Sequence, residues 1–279
     1  MLKLSRPTAE VFIPDGTSWE AAFARVTHLV VAAHADDVEL MAWHAILHAE
    51  GLAAVLVTDG RGSAHTGAYA HLSDDEMRNT RLLEQKRAAS RGNYTVMIWL
   101  DHASADVKQA AYPPLASDLR AILSAVRARL VYTHNPTDKH DTHVAVALHT
   151  VQALRANPSS VERVLGCEVW RALDWLQSED KVTLDVSSVE DRLMPLIGAF
   201  DSQIAGGKRY DLAAAGRKRA NATFLDSHAV DRATAVEYAM DLTPLVRDPT
   251  LDITRWTMRF VERFASDVEA RLVRFHPRS

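Results

Sequence analysis

The sequence predicts an α/β fold: a Rossmann-like, mainly parallel sheet flanked by helices, with a mostly helical C-terminal extension. Three observations point that way. Strand-like and helix-like segments alternate from about residue 28 to about residue 170, as repeated βαβ units do. The first strand pattern, 28–33, is a short continuous apolar run of the kind that a sheet covered on both faces contains. The chain's densest groups of His and Asp follow directly after strand patterns, where open α/β sheets gather their ligands.

Each element has its own local reason. A helix over 38–50 stops at Gly51, a residue suited to helix C-termini, and 52–57 is the second strand before the turn Thr58-Asp59-Gly60. Residues 61–72 lack a period and read as loop. Ser73 followed by Glu76 is a capping-box pattern opening a charged helix to residue 91. Strand 94–100 follows, then a helix over 115–129 with Leu115, Leu119, Ile122, Leu123 and Val126 at helical spacing. Strand 130–133 ends in a His-rich loop, and a helix over 143–156 stops near Asn157-Pro158. A strand-like stretch covers 164–171. Beyond residue 180 the pattern predicts helices over 188–200 and 255–274, around a Gly/Lys/Arg/Ala-rich middle at 205–222. The reading is one domain over 1–279, with a catalytic core at 26–176 and a helical extension at 177–279.

Composition narrows the function classes. The 279 residues are 47% hydrophobic and 24% charged, enough to bury a large core. A net charge of −4 with no long block of like charge argues against nucleic-acid and membrane partners and for a small-molecule one. The oligomeric state is left open. Cys167 is the only cysteine, which excludes an internal disulfide and a cysteine-based zinc site within one chain. Residues 1–7 lack the apolar core of a signal peptide, and there is no long apolar run, so the protein is expected to be cytoplasmic.

Two clusters carry chemistry. His34-Ala35-Asp36-Asp37 follows the first strand, and the segment from His134 to His143 follows the strand at 130–133. A catalytic zinc site takes three His or carboxylate ligands and keeps a position open for water. His34, Asp37 and one late histidine meet that need. Adjacent Asp residues do not readily ligate from one face, so Asp36 is left beside the water as general base. His140 and His143 share a helical face if the helix starts there: one ligates while the other reaches substrate, with Asp138 or Asp141 as its carboxylate partner. Taken singly, the Asp pair reads as a helix N-cap and the histidines as solvated surface. Gly206-Gly207-Lys208-Arg209 lacks the spacing of a phosphate-binding P-loop and reads as a flexible basic loop. Trp170 and Trp175 read as packing residues rather than a sugar platform.

These motifs resemble the LmbE-like, or PIG-L-like, zinc-dependent de-N-acetylases. Ala33-His34-Ala35-Asp36-Asp37-Val38-Glu39 stands where the family has Ala-His-Pro-Asp-Asp-x-Glu. Thr58-Asp59-Gly60, Arg81-Leu82-Leu83-Glu84 and the run from Thr133 to His143 match its later motifs. The resemblance covers roughly residues 28–175. It implies that His34, Asp37 and His143 bind one Zn2+ per chain, Fe2+ being an alternative. It further implies that Asp36 is the general base and that His140 stabilises the oxyanion or protonates the amine. Arg81 and Asp101 are implied to contact sugar hydroxyls. The implied activity is removal of an acetyl group from an N-acetylated amino sugar of the N-acetylglucosamine type. Three departures stand out: Ala35 for proline, Thr142 for the Asp before the last histidine, and Met41-Ala42-Trp43-His44 for small residues. Thr142 is expected to weaken the support of His143 unless Asp138 or Asp141 replaces it, so a metal- or carbohydrate-binding module with lost catalysis is the alternative. A phosphoester hydrolase would call for two close metals.

Overall fold

The computed structural model describes residues 2–157 and 161–276. Its eight strands are β1 (Glu10–Phe12), β2 (His28–Ala32), β3 (Leu52–Thr58), β4 (Val96–His102), β5 (Leu130–His134), β6 (Arg163–Cys167), β7 (Lys181–Asp185) and β8 (Val236–Asp241). They form one sheet in the order β1-β4-β3-β2-β5-β6-β8-β7. From β4 to β6 every pairing is parallel, while β1, β8 and β7 add antiparallel edges. The α/β expectation therefore holds.

Parallel strands sheathed on both faces read as unbroken apolar runs, and all seven residues of β3 and all seven of β4 are buried. Side chains alternate between two cores. Leu29, Val31, Val55, Ile98 and Val131 fill one, and Val30, Ala54, Met97, Trp99 and Tyr132 the other.

The topology itself creates a crevice. β2 lies between β3 and β5, and the chain winds outward through β3 and β4 on one side and through β5 and β6 on the other. The connections leaving β2 and β5 diverge, which opens a cleft at their carboxyl ends. Both sequence clusters sit there.

Several boundaries differ from expectation. The helix anticipated over 38–50 is two short helices, Asp37–Met41 and Trp43–His48, broken at Ala42. The Glu237 carboxylate on β8 accepts from Trp43 N (3.1 Å) and His44 N (3.0 Å), so it caps a second helix that a continuous ladder would not expose. The helix Asp141–Ala156 covers the one expected over 143–156, and Pro158 of its anticipated stop lies outside the described residues. The segment 205–222 contains a helix, Tyr210–Thr223, that its composition did not suggest. Its buried positions, Asp211, Ala214, Lys218 and Asn221, have helical spacing but are mostly polar, so no apolar stripe marks it. The C-terminal portion also supplies β7 and β8 to the sheet. Among the described residues, no helix is long and apolar enough to cross a membrane.

Candidate metal centre

The end of β2 is pinned from two sides. Thr58, first of the Thr-Asp-Gly turn, donates to Ala33 O from its amide (2.9 Å) and from its hydroxyl (2.8 Å). From β5, His134 Nε2 accepts the Ala33 amide at 2.8 Å. Gly60 has φ +74°, and a Cβ there would stand 3.2 Å from Arg81 Cβ, so the turn calls for glycine on both counts. The β5 loop is shaped by local side-chain bonds: Asn135 Oδ1 accepts from Thr137 N, and Asp138 Oδ1 from His140 N, both at 2.9 Å.

These constraints bring His34, Asp37 and His143 together. His34 Nδ1 lies 3.2 Å from Asp37 Oδ2 and 3.1 Å from His143 Nε2, and the latter two atoms are 3.3 Å apart. Ligand atoms at about 2.0–2.1 Å from one tetrahedral zinc stand roughly 3.3 Å from each other, so the donor set fits the ion. His143 Nδ1 faces Asp138 Oδ2 at 3.1 Å. That bond keeps a proton on Nδ1 and turns Nε2 toward Asp37, so that the Nε2 lone pair would face a bound metal once its own proton leaves.

Two further groupings, His34 with His140 and His143, and Asp37 with His134 and His143, also have their potential ligand atoms close together. His134 is a poorer ligand because its Nε2 already accepts the Ala33 amide. Burial, with His143 beside it, lowers its pKa to about 4, so this fully buried ring is neutral. It stacks on His143 with centroids 3.9 Å apart and ties β2 to β5. Every donor set in the described residues includes His143, whose other nitrogen is engaged, so they offer one metal position rather than two.

Asp36 takes no part in the triad. Its backbone is left-handed, with φ +82°, and its amide donates to Gln85 Oε1 at 3.1 Å. Arg81 Nη2 donates to its Oδ2 at 2.7 Å. Burial and the neighbouring Asp37 raise the Asp36 pKa to about 6 against the opposing pull of Arg81. His140 lines the same cleft, its ring 4.9 Å from that of His34, and its pKa is lowered mainly by burial.

The two expected sugar contacts are both buried side chains with partners inside the fold. Arg81 is buried, with Nη2 bonded to Ala35 O and Asp36 Oδ2, and Nη1 to Glu84 Oε2 and Ser202 Oγ. Its terminal nitrogens thus bond Asp36 and Glu84, although the residue also lines the cleft. Asp101 is also buried and is not among the residues lining the cleft. It accepts from Arg78 Nε (2.7 Å) and Trp99 Nε1 (3.1 Å), while its carbonyl takes Arg6 Nε, so it anchors the N-terminal arm. Asp138 is the carboxylate behind His143, whereas Asp141 is exposed at the start of its helix. Thr142 is buried and is not needed for that support.

Of the other residues at the site, Gln85 and Tyr210 carried no motif that singled them out. Gln85 lies four residues from Arg81 on one helix face. Glu84 accepts from Ser202 N and Oγ at 2.6 and 2.8 Å, fastening the C-terminal portion beneath Arg81. Trp170, Gln203, Lys208 and Tyr210 complete a cleft of about 400 Å³, within the range of small-molecule sites.

A His/Asp donor triad beside an independent carboxylate, at the switch point of a parallel sheet, defines an α/β protein with a cluster that could hold a metal ion in a cleft of small-molecule size. Residues 29–154 match the family model of PIG-L, described as GlcNAc-PI de-N-acetylase. No curated protein matches the chain significantly. Among solved structures, the conserved protein TT1542 from Thermus thermophilus is 20% identical with a TM-score of 0.60, over 81% of this chain and 99% of that one. GalB, the 4-carboxy-2-hydroxymuconate hydratase from Pseudomonas putida, is 19% identical with a TM-score of 0.61, over 77% and 96%. The N,N'-diacetylchitobiose deacetylase from Pyrococcus horikoshii is 14% identical with a TM-score of 0.61, over 86% and 92%. At these identities the likeness is one of fold.

Proposed function

We propose that the protein is a zinc-dependent hydrolase that removes the acetyl group from an N-acetylated amino sugar or sugar conjugate. The observation that carries this reading is the 3.1–3.3 Å triangle of His34 Nδ1, Asp37 Oδ2 and His143 Nε2, with Asp36 left outside it. A zinc ion held by these three would polarise the amide carbonyl and acidify a water molecule. Asp36 takes the water's proton. Arg81 occupies its Oδ2, so Oδ1 is the receiving atom, and the guanidinium favours the ionised form that a base requires. His140, whose pKa burial lowers, donates a hydrogen bond from its N–H to the developing oxyanion, and the proton that Asp36 took from the water passes to the departing amine as the C–N bond breaks.

The family match favours deacetylation, whereas the fold by itself does not choose the bond, since GalB is a hydratase. The binding-module alternative rested on Thr142 and loses its support once Asp138 is seen to bond His143. The deciding experiment combines metal analysis of the purified protein with acetate release from a panel of N-acetyl sugars. About one zinc per chain, and acetate release that Asp36→Ala abolishes without loss of metal, is the expected result. Full activity in Asp36→Ala would remove the base assignment, and sugar binding without acetate release would restore the module.

A further inference from the structure

The cations around the cleft fall into two groups. Arg81 is paired with Asp36 and Glu84, Arg61 with Asp59 and Asp75, Arg209 with Asp211, and Lys218 with Glu237. Lys108, which also lines the cleft, Lys139 and Lys208 have no ion pair among the described residues. Lys139 and Lys208 approach one ring instead: Lys139 Nζ lies 5.1 Å and Lys208 Nζ 5.9 Å from the centroid of Trp170. Trp170 and Lys208 both line the catalytic cleft, and Lys139 immediately precedes His140.

Their placement is built rather than incidental. Lys208 belongs to the Gly-Gly-Lys-Arg segment, whose path is held by Thr66 Oγ1 donating to Gly206 O at 2.7 Å and by Lys208 N donating to Gln203 O at 2.9 Å. Gly207 has φ +101°, open to glycine far more readily than to other residues. Arg209 is paired with Asp211, so Lys208 is the cation this segment presents. Lys139 comes from the loop that carries Asp138 and His140, which fixes its Cα relative to the metal donors. An indole face attracts ammonium groups without neutralising them, so both lysines keep their charge and their N–H donors beside Trp170. The two acids lining the cleft, Asp36 and Asp37, are already engaged with Arg81 and with the histidines.

We propose that Lys139, Lys208 and Trp170 form a subsite for a phosphate group on the substrate, so that the sugar conjugate deacetylated here is an acidic one. This rests on the deacetylase reading and deepens it. Two ammonium groups match the double charge of a phosphate monoester, whereas a carboxylate carries one charge and is better served by a planar guanidinium.

The test uses the zinc-loaded enzyme with N-acetylglucosamine 1-phosphate and 6-phosphate, with N-acetylmuramic acid as the carboxylate arm and N-acetylglucosamine as the neutral arm. At least one phosphorylated sugar is expected to exceed the neutral sugar tenfold or more in kcat/KM. That ratio should fall toward one in the double variant Lys139→Met/Lys208→Met and recover in Lys139→Arg/Lys208→Arg. Equal turnover of phosphorylated and neutral sugars, a preference that survives the double methionine variant, or preference for the carboxylate arm alone overturns the proposal. Equilibrium binding of the same sugars to zinc-loaded Asp36→Ala separates the two readings. Phosphate-dependent binding lost with the lysines, without acetate release by wild type, keeps the subsite and sinks the deacetylase. Acetate release with no phosphate preference does the reverse.

Discussion

Arg81 Nη2 donates to Asp36 Oδ2 at 2.7 Å, with side-chain exposures of 2% and 10%, so the proposed base and its cation form a buried pair under the cleft. Removing one partner of such a pair leaves a buried charge uncompensated and costs roughly 3–5 kcal/mol. Arg81→Met is therefore expected to lower stability by about that amount, measurable by urea unfolding. It should also cut kcat with little change in KM, because Asp36 is misplaced rather than substrate released. A rise in KM at unchanged kcat would return Arg81 to a sugar-contact role.

The same pair sets a pH dependence. Burial and Asp37 raise Asp36 to about 6, and a general base works only when ionised. Activity should accordingly rise with pH along an acid limb near pH 6, which a bound metal ion's charge would move downward. A kcat/KM profile over pH 4–8 reads it. An acid limb that remains unchanged in the residual activity of Asp36→Asn would assign it to another group.

His143 offers a test of the metal site. Burial works against its charge, but Asp37 and Asp138 on either side raise its pKa to about 10 in the metal-free chain. A metal ligand must present a lone pair, so zinc binding at pH 8 is expected to release about one proton from this ring. Calorimetry in buffers of different ionisation enthalpy counts it. Asp138→Asn should weaken zinc by roughly 10–100-fold, the usual effect of losing the group that orients a ligating histidine, whereas exposed Asp141 should tolerate replacement by Asn. Equal losses at both positions would contradict the assignment of support to Asp138.

What the sequence made legible follows from how local each determinant is. The strand ends, the Ser73 capping box and the three donor atoms depend on neighbours within a few residues or on adjacent parallel strands, and all were readable. The burial and partners of Arg81 and Asp101 were not, because a buried Arg and an exposed Arg have the same one-dimensional pattern. Only the packing of Ser202 and Phe200 over Arg81 distinguishes them. The helix Tyr210–Thr223 escaped because its inner face is polar, and Lys218 can sit there only because distant Glu237 receives it at 2.7 Å. The Glu237 carboxylate likewise breaks the early helix at Ala42 from nearly two hundred residues away.

Glu39 connects the base to stability. It is fully buried, and its Oε1 accepts from Gln85 Nε2 (2.8 Å) and Tyr94 Oη (2.6 Å), while Oε2 has no partner. The other end of Gln85 holds the Asp36 amide. Burial raises Glu39 from its ordinary 4.5 to about 7. The folded chain then holds this proton more tightly than the unfolded chain does. The carboxyl's contribution is intact below pH 4.5 and declines as pH rises through about 7, a loss of about 3 kcal/mol by pH 8. Glu39→Gln keeps the Oε1 acceptor and cannot ionise, although its amide lacks a partner and adds a pH-independent cost. Its unfolding free energy, followed in urea from pH 5 to pH 8, should therefore gain on the wild type as pH rises. A difference between the two proteins that stays constant across that range would show that Glu39 does not carry the buried proton.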